Sequence, residues 1–214
     1  MRQLILHMSV SLDGFVSGLD GRADWIFSGD QEAKAWKVAN TWNASLHIMG
    51  SRSFQFMAGF FPTATTVFAA PMNQIPKAVF SKQGPAVLNA TAASIRNLRD
   101  AQARAGHDQT APLQPGAESW AEAYVAGGDL ADEITKLKAE DGKPIVAHGG
   151  AALARSLIAR NLVDEYVLLV YPIALGKGVP IFSDLPAPRP LELVSSRAFP
   201  LGAVAQIYRP AVPT

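Results

Sequence analysis

The sequence predicts an α/β protein with a mainly parallel β-sheet and an antiparallel C-terminal tail. Two observations lead to this prediction. Short apolar runs alternate with segments of helical spacing along most of the chain, which is typical of a sheet covered by helices on both faces. The last part of the chain is rich in β-like sequence without an evident helix, so its strands are expected to pair antiparallel.

The predicted strands are short and apolar, and glycine, proline or aspartate bounds most of them. They span residues 2–9, 46–49, 65–69, 77–80, 123–126, 144–147, 164–174, 191–196 and 204–208. Helical spacing predicts helices over residues 31–42, 91–105, 130–139 and 151–160. Asp30 and Asp129 precede two of these helices, and aspartate at that position caps a helix by accepting hydrogen bonds from its free N–H groups.

Residues 84–117 depart from this alternation. They hold an Ala-rich helix candidate followed by a polar stretch with glycine and proline. Because the alternation resumes afterwards, we interpret them as an insertion in a single domain of residues 1–214. The sequence is compatible with three roles for this insertion: covering the active site, extending a dimer interface, or forming a mobile loop.

The composition excludes several functional classes. The 214 residues are 49% hydrophobic and 17% charged, which is typical of a compact globular protein. A net charge of +1 without a basic surplus argues against general binding of nucleic acids or acidic membranes. No apolar run approaches the roughly 18 residues of a membrane span, and there is no signal-peptide core. We therefore expect a protein of the cytoplasm that binds no membrane.

Cysteine is absent, which excludes disulfides, thiolate metal sites and a cysteine nucleophile. The four histidines have no metal-ligand spacing, so we predict no metal. His7 and His47 fall inside apolar runs and are expected to be core histidines.

Three segments place small or cationic residues directly after an apolar run, at residues 48–53, 79–82 and 146–151. The carboxyl ends of parallel strands are where open α/β sheets bind ligands. Glycine lets a phosphate approach the backbone, helix N-termini offer free N–H groups, and arginine grips phosphate. The pattern predicts a dinucleotide site, although neither the dinucleotide fingerprint nor the P-loop occurs. The alternative is tight turns with solvated surface cations.

Three carboxylates near the start of the first predicted helix are candidate proton donors: Asp13, Asp30 and Glu32. A carboxylate in an apolar pocket, beside Trp25 or Trp36 for example, has a raised pKa and can donate a proton. The alternative is a turn role for Asp13 and a capping role for Asp30.

Several motifs occur in the order found in dihydrofolate-reductase-like proteins. The sequence most closely resembles the riboflavin-biosynthesis reductase domain, the C-terminal half of bifunctional deaminase-reductases. The matching segments are residues 8–16 (MSVSLDGFV), 24–26, 49–54, 76–82, 128–130 and 144–178. The resemblance implies a three-layer α/β fold with a mixed sheet, NADPH as cofactor, and hydride transfer to a small pterin- or pyrimidine-like heterocycle. The expected activity is like that of 5-amino-6-(5-phosphoribosylamino)uracil reductase or of dihydrofolate reductase.

The resemblance also implies which residues bind the cofactor. They are Ser9 and Val16 against the nicotinamide; Gly50, Ser51, Arg52 and Ser53 at the phosphates; Ser81 and Lys82 at the 2′-phosphate; and Gly149, Gly150, Ala151 and Ala152 at the pyrophosphate. The Gly149–Gly150 peptide bond is expected to be cis. Arg52 is displaced by one residue from the family pattern. A 2′-phosphate is therefore expected to be bound by Lys82, or by Arg52 from a different angle.

The resemblance assigns the proton donor least clearly. Asp30 or Glu32 stands where dihydrofolate reductases have a carboxylate, whereas Asp13 positions the substrate or shapes its loop. The alternative function is a non-catalytic protein that keeps the fold and binds a nucleotide or pterin. A homodimer is expected from the resemblance alone.

Overall fold

The computed structural model describes residues 1–27, 29–105, 112–183 and 185–211. Its strands are β1 Leu4–Ser11, β2 Leu46–Gly50, β3 Lys77–Phe80, β4 Tyr124–Ala126, β5 Ile145–Ala147, β6 Glu165–Tyr171, β7 Leu191–Ala198 and β8 Val204–Pro210. Its α-helices are α1 Gln31–Trp42, α2 Ser51–Phe60, α3 Ala69–Gln74, α4 Asn89–Ala105, α5 Leu130–Ala139 and α6 Ala151–Ala159. Short 3₁₀ turns cover Asp24–Phe27, Phe61–Thr63, Gly84–Leu88 and Ala117–Trp120.

The strands form one sheet in the order β4-β3-β2-β5-β1-β6-β8-β7. The six strands from β4 to β6 are mutually parallel, whereas β8 runs antiparallel to both β6 and β7. The predicted α/β class with a mainly parallel sheet and an antiparallel C-terminal tail is therefore confirmed.

Apolar residues alternate between the two faces of the central strands, which produces a core on each side. Leu4, Leu6 and Ile48 pack on one face with the apolar sides of α5 and α6. On the other face, Ile5 and Val146 pack near Trp36 of α1. The result is three layers, with the sheet between two layers of helices.

The two predicted helix caps are present. The Asp30 carboxylate accepts a hydrogen bond from Ala33 N at 3.0 Å, and Asp129 accepts from Ala131 N at 2.8 Å. The strand predicted at residues 65–69 is wrong. Residues 66–68 form a bend and a turn instead, and Ala69 begins α3, whose first turn accommodates Pro71.

The described part of residues 84–117 packs against the body of the protein. Val87 and Ile95 are buried in a cluster with Phe54 and Trp120. The polar residues 106–111 of the predicted insertion lie outside the described residues.

The central strand β5 is shorter than its neighbours. Its last residue, Ala147, pairs with Leu6 of β1 and Ile48 of β2. Strand β1 continues to Ser11, so its second half has no paired strand on the β5 side; we call this position in the sheet the crevice. Open α/β sheets bind ligands in crevices of this kind at the carboxyl ends of their strands.

Candidate functional site

A cavity of about 600 Å³ lies at the carboxyl ends of β2, β3, β4 and β5. Four strand-to-helix or strand-to-turn connections line it. The lining residues are Gly50, Ser51, Arg52, Ser53, Phe80, Ser81, Lys82, Ala126, Gly127, Gly128, Leu130, Gly150, Ala151, Ala152, Leu153, Arg155, Ser156 and Val179. The cavity thus collects most of the residues that the resemblance assigned to the cofactor.

Two helices begin at this cavity without a side-chain cap. Helix α2 starts after Gly50 and α6 starts after Gly150, and neither glycine supplies a side chain to bind the first N–H groups. A helix start of this kind carries a partial positive charge and free hydrogen-bond donors. Both helix starts therefore suit a phosphate in the cavity.

The two glycine turns approach each other closely. Gly50 N donates a hydrogen bond to Gly149 O at 3.0 Å. A Cβ atom on Gly150 would lie 2.8 Å from Ser53 Oγ, closer than a carbon normally approaches that atom. Glycine at position 150 therefore permits this close approach, because a side chain there would collide with Ser53.

The charge of the cavity wall is positive. Arg52 and Lys82 line it, and neither side chain forms a hydrogen bond or ion pair with any residue that the structure describes. No aspartate or glutamate is among the lining residues. Cations that are free of carboxylate partners favour an anionic ligand.

Three residues assigned to the cofactor lie outside this lining. Ser9 sits on β1, and Val16 is joined to the wall through its N–H, which donates to Val179 O at 3.0 Å. Gly149 has φ +85°, and a Cβ atom there would lie 3.2 Å from the Met8 side chain. The Gly149–Gly150 peptide bond is cis, as predicted.

The part of the cavity wall that follows β4 was not predicted from the sequence to bind the cofactor. Ala126, Gly127 and Gly128 line the cavity between that strand and α5. The signal was present, because Val125-Ala126-Gly127-Gly128 repeats the pattern of an apolar run followed by glycine before a helix.

None of the three candidate carboxylates lines the cavity. Asp13 accepts hydrogen bonds from Ser11 Oγ at 2.6 Å and from Gly176 N at 2.7 Å, and these bonds lower its pKa. Glu32 is exposed and pairs with Arg197 at 3.1 Å.

Asp30 is buried, and its hydrogen bonds from Ala33 N and Leu201 N lower its pKa. Asp13 and Asp30 are thus held in the ionised form by backbone structure, which does not suit a proton donor.

A second polar cluster lies beside the Gly149–Gly150 turn, on the α1 side of the sheet. Lys37 of α1 donates from Nζ to Ser9 Oγ at 3.2 Å. Burial lowers the pKa of Lys37 to about 8. The pattern of the sequence did not reveal Lys37, because only the packing of α1 on the sheet brings this side chain inward.

Three histidines surround this cluster. His7 and His47 are buried, as expected of core residues. His148 and His47 share a hydrogen bond of 2.9 Å between Nε2 and Nδ1. Burial lowers the pKa of all three, and the charge of Lys37 lowers that of His7 and His148 further. The histidines are therefore neutral near pH 7.

Comparison with known proteins identifies the family. The model of the RibD C-terminal domain matches residues 2–205. The chain belongs to the RibD C-terminal domain family.

Two uncharacterized proteins of Bacillus subtilis (strain 168) are relatives over nearly their whole length. YyaP is 28% identical over 207 residues, which cover 97% of this chain and 94% of YyaP. YwjB is 24% identical over 209 residues, which cover 97% of each chain.

Solved structures of RibD-like proteins share the fold. A Shewanella sp. PV-4 protein provisionally assigned to riboflavin biosynthesis has a TM-score of 0.68 and 20% identity, with 98% of this chain and 99% of that one covered. A pyrimidine reductase-like protein of Corynebacterium diphtheriae has a TM-score of 0.61 and 15% identity, with 99% and 93% covered.

The deaminase/5-amino-6-(5-phosphoribosylamino)uracil reductase of Thermotoga maritima has a TM-score of 0.60 and 15% identity; the match covers 98% of this chain and 57% of that one. These likenesses confirm the dihydrofolate-reductase-like fold that the motifs implied.

The described residues of this RibD C-terminal domain protein contain no group of three or more His, Asp or Glu side chains placed to hold a metal ion. In the same ranges, every helix is too short or too polar to cross a bilayer.

Proposed function

We propose that the protein is an NADPH-dependent reductase that transfers hydride to a small pyrimidine- or pterin-like heterocycle. One observation carries the proposal. The cavity brings Arg52 and Lys82, two cations without a partner among the described residues, next to two helix starts without caps, at Gly50 and Gly150. A phosphorylated dinucleotide supplies the negative charges that this arrangement favours.

The residues present fit NADPH. The N-termini of α2 and α6 would bind the pyrophosphate in the cavity that both helix starts line. Arg52, Ser81 and Lys82 would hold the 2′-phosphate that distinguishes NADPH from NADH. When bound, the cofactor supplies the hydride.

The crevice beyond β5 is the proposed substrate site. Gly150 lines the cofactor cavity, while His148, two residues earlier, faces the cluster of Lys37 and Ser9. The turn between them therefore separates a phosphate-binding side from a buried polar side. A pyrimidine is favoured because the structural neighbours from Corynebacterium diphtheriae and Thermotoga maritima are a pyrimidine reductase-like protein and a uracil reductase.

Titration with NADPH and NADH, followed by nicotinamide fluorescence, tests the cofactor site. We expect Arg52→Ala and Lys82→Ala each to weaken NADPH binding by about ten- to a hundredfold, since each removes a charged hydrogen bond to phosphate. NADH binding should change far less. Arg96→Ala, an exposed arginine on α4, is the matched control. Absence of NADPH binding at millimolar concentration would overturn the proposal.

A second candidate is a non-catalytic protein that binds the nucleotide, favoured by the absence of Asp13, Asp30 and Glu32 from the cavity wall. Oxidation of NADPH, followed at 340 nm with 5-amino-6-(5-phosphoribosylamino)uracil and with dihydrofolate, separates the two. Turnover of either compound supports the reductase, whereas tight NADPH binding without turnover supports the second candidate.

We also propose, on the resemblance alone, that the protein acts as a homodimer in the cytoplasm. Light scattering of the purified protein measures its mass in solution.

A further inference from the structure

Lys37 is a half-buried cation with no counter-ion. Its Nζ atom donates to Ser9 Oγ at 3.2 Å and lies 5.7 Å from the centre of the Phe68 ring. Within the described ranges it has no carboxylate partner. Burying a charge without a partner costs free energy, so its position calls for an explanation beyond stability.

The groups that face Lys37 come from three strands. They are Ser9 and His7 of β1, His148 after β5, and Tyr171 of β6, which interacts with Ser9. Both histidines are kept neutral by burial, and the Tyr171 hydroxyl donates to Ile26 O at 2.9 Å. The lowered pKa values of His7 and His148 make both of them weak bases, so neither takes the proton of Lys37 in the described structure.

The Lys37–Ser9 pair lies beside the crevice. Ser9 is the one residue of β1 that is not buried. It lies on the part of β1 that extends past the end of β5. A ligand in the crevice beside the Gly149–Gly150 turn would therefore meet the ammonium group.

Lys77, which is fully buried, has the contacts expected of a lysine with a structural role. Lys77 donates to Asn73 O at 2.9 Å and to Ser119 Oγ, and it lies 4.7 Å from the Trp120 ring centre. These contacts join β3 to α3 and to the turn that follows the insertion. Lys37 has one hydrogen bond instead, and the rest of its capacity as a donor is unused.

We propose that Lys37 is the catalytic acid of this protein, held by Ser9 and aimed at the substrate in the crevice. The proposal rests on the proposed reductase function. It gives the role first expected of Asp30 or Glu32 to a lysine on the same helix.

When the substrate carbon of a C=N or C=O bond accepts the hydride, the π electron pair of that bond moves to the nitrogen or oxygen. That atom takes a proton from Lys37 Nζ as the N–H bond breaks, and neutral Lys37 recovers a proton from solvent. Substrates must therefore present such a heteroatom toward Ser9. A donor with a pKa of about 8 is protonated at neutral pH and still gives up its proton readily.

Kinetics with NADPH and 5-amino-6-(5-phosphoribosylamino)uracil test the role. Wild-type kcat should be constant below pH 7 and fall above pH 8, as Lys37 loses its proton. Lys37→Met should lower kcat by about a hundredfold or more. Lys37→Arg keeps the charge but gives up its proton poorly, so it should also be slow and lose the fall at high pH. Lys34→Met, one turn earlier on α1, is the control and should keep the wild-type profile.

Two readouts do not depend on turnover. The ¹³C NMR signal of lysine Cε, assigned with Lys37→Arg, should give a pKa near 8 for Lys37. The Lys37 signal, but not the Lys34 signal, should also move when the uracil compound is added. The Tm of Lys37→Met should equal or exceed that of the wild type, because the substitution removes a buried charge.

The outcomes separate this inference from the proposed function. Normal turnover and an unchanged pH profile in Lys37→Met would overturn the role of Lys37 and leave the reductase standing. A Lys37 pKa near 10.4 by NMR would overturn it as well. Loss of NADPH binding in the wild type would overturn the proposed function, and the acid role that rests on it.

Discussion

At the scale of single residues, the Asp30 carboxylate stabilises the backbone and does not line the cavity. It caps α1 through Ala33 N and also accepts from Leu201 N, at 2.9 Å, in the turn between β7 and β8. One side chain thus fixes the start of the helix relative to the C-terminal strands. These hydrogen bonds lower its pKa, so it is ionised near neutral pH.

We therefore expect Asp30→Ala to lower the Tm by several degrees, because two backbone N–H groups lose their acceptor. Asp30→Asn retains a capping oxygen and should recover most of that loss while keeping kcat within a fewfold of wild type. Thermal unfolding and NADPH oxidation measure the two effects. A folded Asp30→Asn protein without turnover would instead mark Asp30 as a proton donor.

At the scale of elements, α4 is part of the core and not an appendage. Ile95 is 3% exposed and packs with Phe54 and Trp120, so the helix covers the cluster over β2 and β3. No residue of α4 lines the cavity. The element should therefore contribute to stability while leaving cofactor binding alone.

Ile95→Ala should accordingly reduce the free energy of unfolding by about 2–4 kcal/mol, since it removes buried methylene and methyl groups. Arg96→Ala, on the exposed side of the same turn, should change it by less than about 0.5 kcal/mol. Urea unfolding gives both values. A loss in Ile95→Ala below about 1 kcal/mol would show that α4 packs loosely on the body, and a change in NADPH affinity would connect α4 to the site.

The elements also explain which parts of the site the sequence could predict. Gly50 ends β2, Ser81 follows β3 and Gly150 comes three residues after β5, so the local sequence pattern places all three at one edge of the sheet. Lys37 lies within a helix and reaches its position only because α1 packs on β1. Such a contact depends on tertiary structure, which the spacing of residues along the chain does not encode.

At the scale of the whole molecule, the sheet carries two buried histidines and a half-buried one, on adjacent strands or directly after them. His7, His47 and His148 come from β1, β2 and the end of β5, which are neighbours in the sheet. Lys37 and Lys77 add two cations nearby, and the charge of each lowers the pKa of a neighbouring histidine. The centre of the fold therefore disfavours any further positive charge.

This arrangement makes the folded state sensitive to acid. In the unfolded chain a histidine binds a proton near pH 6.5, whereas burial lowers the pKa of His148 to about 4 in the folded state. Between these values the unfolded state binds more protons, so stability is present above pH 6.5 and is lost as the pH falls toward 4. From pH 7 to pH 5, His148 alone should account for a loss of about 2 kcal/mol.

Urea unfolding at pH 7 and at pH 5 measures this loss, and a variant identifies its source. His7 Nε2 has no hydrogen-bond partner among the described residues, so His7→Leu replaces that ring with an apolar side chain at little cost in hydrogen bonding. We expect His7→Leu to lose less stability than the wild type between the two pH values, because one fewer histidine takes up a proton on unfolding. Equal losses in the two proteins would mean that His7 is already protonated in the folded state, and that a charge is tolerated beside Lys37.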